Sequence, residues 1–169
     1  MEIPNGYQII PANETHVQAI AANNRHSIFE QIGHEMTEDE ALLGATTALH
    51  YPNSQFFVLL AADNQVVGQY KQVRVWNDLV ARPMIWVERL YIRPAFRHLG
   101  LARLLVEHCL ESLTTPQAGQ PLPLLVSMIE RENYSSLALA KQNGFREENY
   151  YILFHQTAVD ELRAHHPQP

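Results

Sequence analysis

The sequence predicts an α/β fold in which helices cover both faces of a mixed, mostly antiparallel central sheet. The main observation is the segment Ile85–Ile92, which is apolar on both alternating faces, as a strand covered on both sides requires. A second is the predicted order of elements: one strand, two helices, three strands, and then a helix, a strand, a helix and a final strand. The 169 residues, 46% hydrophobic and 18% charged, suit a single domain, 1–169, with a polar tail over residues 156–169.

The chain opens with a short strand and two helices. Tyr7–Pro11 is the strand, and Asn13 can cap a helix that continues to about Ile32. Thr37–Glu40 is a capping box that opens a second helix, which extends to roughly Leu49. We therefore expect two adjacent helices over one edge of the sheet.

The next part of the chain predicts consecutive antiparallel strands. Phe56–Ala62 and Val66–Val75 are rich in β-forming residues and are separated by a polar tip, Asp63–Gln65, which is typical of a hairpin. A further strand begins near Arg82 and continues through Ile85–Ile92. Simple alternation divides that strand into two faces: Ile85, Val87 and Tyr91 on one, and Trp86, Leu90 and Ile92 on the other.

The segment after this strand predicts an anion-binding site. Pro94 removes a ladder donor and ends the strand, and Arg97–Ala102 then leads into an amphipathic helix. The first N–H groups of a helix have no partner within it and lie at the positive end of its dipole, while Gly100 allows a ligand to approach the backbone closely. The apolar positions of the helix recur at helical spacing: Ala102, Leu105, Val106, Cys109, Leu110 and Leu113.

The distribution of charge favours the same site. The chain carries a formal net charge of −6, yet four arginines fall within a short stretch around the start of this helix: Arg89, Arg93, Arg97 and Arg103. A local positive patch on an acidic protein indicates a bound phosphate rather than a general affinity for nucleic acid.

The C-terminal part predicts two more strands and a helix. Leu124–Met128 is a short strand, and Glu132–Asn143 is a helix that Gly144 stops in the manner of a left-handed cap. Phe145–Phe154 is the final strand, with a bend near its start.

Composition and the absence of other motifs exclude several classes. The single Cys109 cannot form an intramolecular disulfide, and its place on the apolar stripe favours a core thiol over a nucleophile. No apolar segment approaches the length that spans a bilayer, and the start, MEIPNGYQII, lacks the pattern of a signal peptide, so we expect no membrane association and a cytoplasmic location. The histidines show no metal-ligand spacing, and we expect no metal.

The motif Arg97-x-x-Gly100-x-Ala102, between a strand and a helix, resembles the R/Q-x-x-G-x-G/A motif of the GNAT superfamily of acyl-CoA-dependent N-acetyltransferases. Its position after ERLYIRP and a second matching segment, Asn133–Phe145, strengthen the resemblance. The resemblance implies a GNAT-like acyl-CoA N-acyltransferase fold whose fourth and fifth strands splay apart to admit pantetheine. It also implies acetyl-CoA as cosubstrate, a small-molecule or peptide amine as acceptor, and a homodimer as a common assembly among relatives.

The resemblance assigns roles to particular positions. Backbone groups of Leu90, Tyr91 and Ile92 would contact the thioester, and Asn133 would contact pantetheine. The N–H groups of the Arg97–Ala102 loop, together with the guanidinium groups of Arg97 and Arg103, would bind the pyrophosphate. The individual loop residues are Arg97, His98, Leu99, Gly100, Leu101 and Ala102.

Glu88 is the candidate general base. Simple alternation places it on the face of Trp86, where an unpaired carboxylate would lose hydration and so favour its protonated form, as a proton acceptor requires. In several GNAT branches a Glu at this position acts as base or binds the amine. The alternative is that Glu88 only pairs with a neighbouring arginine.

One position departs from the family pattern. Many relatives carry a general-acid Tyr where this chain has Ala140. Tyr134, Ser136 or a water molecule could replace it, and Ser136 lies one helical turn before Ala140. The departure leaves open a second function, an acyl-CoA-binding module without turnover. A third, a nucleotide-phosphate binder unrelated to CoA, would be stabilised by ATP but not by CoA.

Overall fold

The computed structural model describes residues 6–111, 121–129 and 131–147. Strands and helices follow one another along these residues in the predicted order. Two short 3₁₀ helices, Glu14–His16 and Pro94–Phe96, precede α1 and α3. The elements are β1 (Gln8–Pro11), α1 (Val17–Ile32), α2 (Glu38–His50), β2 (Ser54–Leu60), β3 (Val66–Asn77), β4 (Arg82–Ile92), α3 (Leu101–Glu111), β5 (Leu124–Ser127) and α4 (Tyr134–Gln142).

The ends of the first helices follow from local side-chain chemistry. The Asn13 side chain accepts a hydrogen bond from Thr15 N–H at the first 3₁₀ turn. At α2 the Thr37 hydroxyl accepts from Glu40 N–H (3.2 Å), and the Glu40 carboxylate accepts from Thr37 N–H (2.8 Å), which confirms the predicted capping box. Gly33 ends α1 with a φ of 67°, a conformation that side chains disfavour.

The described strands form one sheet in the order β1-β2-β3-β4-β5. The first four pair antiparallel, and β5 pairs parallel with β4. The prediction of a mixed, mostly antiparallel sheet is therefore confirmed.

Helices pack on both faces of this sheet, also as predicted. On one face α1 and α2 cover a buried cluster: Val17, Ile20, Ala21, Ala41, Ala45, Phe56, Val58, Leu60 and Val66. On the other face α3 covers a second: Leu59, Val67, Tyr70, Ile85, Val87, Ile92, Leu101, Leu104, Leu105 and Cys109. Burial of these two apolar layers supplies the main stabilisation of the fold.

A β-bulge in β4 changes the predicted faces of its last residues. The ladder pairs Lys71 with Glu88 and Gln69 with Tyr91, so two residues of β4 lie opposite one residue of β3. The extra residue moves Ile92 into the cluster under α3 with Ile85 and Val87. The prediction that Ile92 shares a face with Trp86 is therefore wrong, because simple alternation does not hold across a bulge.

Gly68 of β3 leaves room for the side chain of Ile92, which follows the bulge in β4. A Cβ at this position would lie 2.5 Å from Cδ1 of Ile92 and 3.0 Å from the carbonyl oxygen of Tyr91. Glycine therefore leaves the space that the Ile92 side chain occupies over β3.

Some predictions reach beyond the described residues. Of the predicted final strand, residues 145–147 are described and are not in a strand, and residues 148–154 lie outside the described part, as do the tail and Leu113. In the ranges that are described, no helix combines the length and the apolar character needed to cross a membrane.

Candidate active site

A cleft between β4 and β5 opens where their pairing ends. The parallel ladder joins Met84–Val87 to Leu124–Ser127, and the Ser127 hydroxyl donates to the Val87 carbonyl at 3.0 Å where the ladder ends. Beyond that point β4 continues to Ile92 whereas β5 has ended, and a cavity of about 640 Å³ lies between the last residues of β4 and the described residues that follow β5. It is lined by Gln31, Val87, Glu88, Arg89, Leu90, Val106, Cys109, Leu125, Ser127, Met128, Ile129, Arg131, Asn133, Ser136, Leu139, Ala140 and Phe145.

The bulge in β4 lies on one wall of this cavity. Arg89 has a φ of 56°, a left-handed conformation that is uncommon for a residue with a side chain. Leu90 follows it and lines the cavity, whereas Tyr91 and Ile92 lie outside the lining formed by the described residues. Of the three strand residues predicted to contact the thioester, the structure thus brings only Leu90 to the cavity wall.

The start of α3 has the geometry of an anion-binding site. Its first hydrogen bond runs from Leu104 N–H to the Gly100 carbonyl (3.2 Å), so the N–H groups of Leu101, Ala102 and Arg103 have no acceptor within the helix. Gly100 has a φ of 77°, and a Cβ built on it would meet no described atom within 4 Å. The helix N-terminus is therefore open to a ligand at the predicted place.

The side chains of the neighbouring loop residues lie at the surface. His98 and Leu99 are exposed, and His98 has a φ of 63°. Arg103 donates to the Glu107 carboxylate one turn along α3 (2.7 Å). Its guanidinium is thus paired in this structure, although it remains on the surface.

The Arg97 guanidinium is held by the protein. Its Nε donates to the Ile92 carbonyl (3.0 Å), a terminal nitrogen lies 2.6 Å from the Glu30 carboxylate, and its carbon lies 5.5 Å from the centre of the Tyr91 ring. These contacts tie the loop to α1 and to the end of β4. These contacts indicate a second role for the Arg97 guanidinium, which is to position the loop, beside the predicted role of binding pyrophosphate.

Glu88 reaches the cavity, but its carboxylate is paired. Lys71 stands directly opposite it in the β3–β4 ladder, and Lys71 Nζ lies 2.6 Å from Glu88 Oε2. The side chains are 17% and 34% exposed, respectively. The expectation of an unpaired carboxylate is therefore wrong, and the partner is a lysine rather than the arginine of the alternative interpretation.

Lys71 also lines a second cavity, of about 460 Å³, on the α2 side of the sheet. The rest of its lining comes from α2 and the residue that follows it: Glu40, Leu43, Gly44, Thr47, Ala48 and Tyr51. The Lys71–Glu88 pair thus contributes one residue to each cavity.

The start of α4 forms the opposite wall of the cleft. Asn133 caps α4 by accepting from Ser136 N–H (3.1 Å) and from the Ser135 hydroxyl (3.1 Å). Ser136 and Ala140 both line the cavity, whereas Tyr134 is 75% exposed and lies outside its lining in the described structure. Of the two side chains considered as replacements for the missing Tyr, only Ser136 is in place.

A buried polar network beside the bulge was not predicted from the sequence. Asn23, which is fully buried, donates to Gln69 (3.0 Å) and accepts from Arg93 Nε (2.9 Å), and Gln69 donates to Asn24 (2.9 Å). The network joins α1 to β3 and to the residue after β4. Its one sequence signal is a pair of asparagines inside a helix, which becomes informative only when the partner strand is known.

Burial controls the protonation of the groups near α3. It raises the pKa of the Cys109 thiol to about 12, so this residue forms a neutral wall of the cavity rather than a nucleophile. Burial also raises the pKa of Tyr70 and lowers that of His108, whose Nδ1 lies 2.8 Å from the Tyr70 hydroxyl. A neutral hydroxyl can thus donate to a neutral imidazole.

Comparisons with known proteins identify a family for the chain. The model of the Acetyltransferase (GNAT) family matches residues 19–145. Among curated proteins, none is significantly similar to the chain in sequence.

Several solved structures are similar in fold. A possible acetyltransferase from Clostridium difficile 630 superposes with a TM-score of 0.78 at 18% identity, covering 90% of this chain and 98% of that one. A predicted acetyltransferase from Clostridium acetobutylicum, solved with acetyl-CoA, has a TM-score of 0.70 at 9% identity and covers 90% and 97%. AAC(6')-Iy, solved with the bisubstrate analog CoA-S-monomethyl-acetylneamine, has a TM-score of 0.67 at 20% identity and covers 89% and 97%.

Proposed function

The chain belongs to the GNAT acetyltransferase family, and we propose that it transfers an acetyl group directly from acetyl-CoA to a primary amine of a small molecule or peptide. The observation that carries the proposal is the cleft between β4 and β5, which is lined by Glu88 on one wall and by Ser136 and Asn133 on the other. We further propose that residues 1–169 act as a single N-acetyltransferase domain.

The residues of the cleft suit acetyl-CoA. The N–H groups of Leu101, Ala102 and Arg103 would bind its pyrophosphate, and the open space at Gly100 would allow the phosphates to approach. The cavity of about 640 Å³ has the size of a typical small-molecule site and would hold the pantetheine arm between Leu90 and Asn133. When bound, acetyl-CoA supplies the acetyl group as an activated thioester.

The side chains around the thioester position would manage the protons. Glu88 would accept a proton from the acceptor ammonium or from the amine as it is acylated. Ser136 faces the cavity from the start of α4 and would donate toward the departing thiolate. Burial keeps Cys109 neutral, so no competing thiolate forms beside the thioester.

Release of CoA thiol tests this proposal. The purified protein is incubated with acetyl-CoA and each member of a panel of primary amines, and thiol is measured together with the mass of the acetylated product. We expect acceptor-dependent thiol release and N-acetylated product with at least one amine.

Thermal shift with CoA and with ATP separates the competing functions. Stabilisation by CoA without turnover of any amine would favour a binding module. Stabilisation by ATP but not by CoA would indicate a nucleotide site instead. Either result would contradict the proposal.

A further inference from the structure

The charges beside Glu88 bear on the kind of amine that the site accepts. Lys71 and Glu88 stand opposite each other in the ladder with 2.6 Å between their charged atoms. Glu88 faces the cleft between β4 and β5, and Lys71 faces the cavity under α2. An acceptor that reaches Glu88 from the α2 side must therefore lie against the lysine ammonium.

A simple cation is a poor occupant of this position. Its ammonium would have to share the Glu88 carboxylate with Lys71, which weakens the ion pair of a lysine that is 17% exposed and places a second positive charge next to it. Both effects oppose binding, since a partly buried charge without a partner is costly and like charges repel. A polycation would add further repulsion.

An acceptor that carries its own carboxylate avoids this cost. Its ammonium can pair with Glu88 while its carboxylate pairs with Lys71, so that each of the four charges keeps an opposite neighbour. The remaining lining of the α2 cavity includes one acidic residue, Glu40, whose carboxylate accepts from the Thr37 N–H and hydroxyl at the start of α2. It also includes the apolar side chains of Leu43 and Ala48 and the ring of Tyr51. This surface suits an apolar substituent on the same molecule.

We propose that the acceptor is an amino acid or a similar amine whose carboxylate lies close to the amino group, and that Lys71 is the residue that recognises this carboxylate. The proposal rests on the proposed acetyltransfer to an amine and adds the acceptor class. It makes Lys71 a specificity-determining residue and the cavity under α2 the acceptor subsite.

Matched acceptors test this assignment. Phenylalanine and phenethylamine differ only by the carboxylate, and spermidine represents the polycations. We expect kcat/KM for phenylalanine to exceed that for phenethylamine by about 10-fold or more, as one charge-assisted contact supplies, with spermidine poorer still. In Lys71→Met this preference should disappear, and in Lys71→Arg, which keeps the charge, it should remain.

The outcomes separate this inference from the proposed function. Preference of the wild-type protein for phenethylamine or spermidine, or a carboxylate preference that survives in Lys71→Met, would overturn the inference and leave acetyltransfer standing. Turnover of no amine at all would reject the proposed function and, with it, the inference. Circular dichroism of both variants shows whether a lost preference reflects lost folding.

Discussion

The Arg97 guanidinium lies 2.6 Å from the Glu30 carboxylate, and this ion pair joins the loop before α3 to the last turns of α1. If the pair positions the loop, Glu30→Gln should weaken acetyl-CoA binding by a few-fold, because the loop N–H groups lose their alignment. If Arg97 instead binds phosphate, the same substitution should release the guanidinium and tighten binding. Isothermal titration calorimetry with acetyl-CoA distinguishes the two roles, and we expect weakening.

The stability of Glu30→Gln should change little. Both side chains are more than a third exposed, and exposed ion pairs contribute about 0–1 kcal/mol. A large fall in melting temperature would show that the ion pair supports the whole fold rather than the loop.

Gly100 should matter for both conformation and binding. Gly100→Ala places a side chain at a φ of 77°, which costs about 1–2 kcal/mol, and adds a methyl group where the phosphates would approach. We expect a lower melting temperature and a Kd for acetyl-CoA raised by about 10-fold.

Gly33→Ala is the matched control for Gly100→Ala. Gly33 ends α1 with a φ of 67°, and a Cβ there also meets no described atom within 4 Å. It should lose similar stability and keep the wild-type Kd. Equal affinity of the two variants for acetyl-CoA would exclude the start of α3 as the pyrophosphate site.

The structural features that could be predicted from the sequence are those that depend on residues close together in the chain. The capping box of Thr37 and Glu40 and the opening at Gly100 depend on residues a few positions apart, and the sequence shows them directly. The bulge at Arg89 depends on the register in which β3 pairs with β4. The same register places Lys71 opposite Glu88. That register cannot be read from the local pattern of residues, because it depends on contacts between two distant segments. The bulge, the Lys71–Glu88 pair and the Asn23 network were therefore not predicted.

Ser136 should act when the thiolate leaves. Ser136→Ala removes the hydroxyl that faces the cavity one turn from Ala140, and we expect kcat to fall by about 10-fold with an unchanged KM for acetyl-CoA. The exposed Ser135 serves as the control, and Ser135→Ala should keep its kcat. An unchanged kcat for Ser136→Ala would mean that water, or no group at all, protonates the thiolate.

His108 should make the stability of the fold depend on pH. Burial lowers its pKa below the ordinary value of 6.5, against a smaller opposing effect of Glu111. As the pH falls through 6.5, the unfolded chain therefore binds a proton that the folded chain does not, and protonation favours unfolding. The resulting loss in the free energy of unfolding grows as the pH falls from 6.5 to the lower pKa of the folded state, and it is absent above 6.5.

Urea unfolding at several pH values between about 5 and 8 measures this effect. His108→Gln removes the titrating group and should flatten the acid side of the stability profile, at the cost of the contact with Tyr70. His26, which is exposed on α1, provides the control, since His26→Gln should keep the wild-type slope. A slope that persists in His108→Gln would assign the pH dependence to other groups.

Glu88 should be needed most when the acceptor is protonated. Glu88→Gln removes the proposed proton acceptor, so the variant can use only the amine that is already neutral in solution, and its kcat/KM should rise more steeply with pH than that of the wild type. At the acid end we expect a loss of about 100-fold, within the range for general base catalysis. Lys71→Met breaks the same ion pair but keeps the carboxylate, so it should retain the shallower profile. Parallel pH–rate profiles for Glu88→Gln and the wild type would show that Glu88 is not the base. The role of Glu88 would then be its ion pair with Lys71.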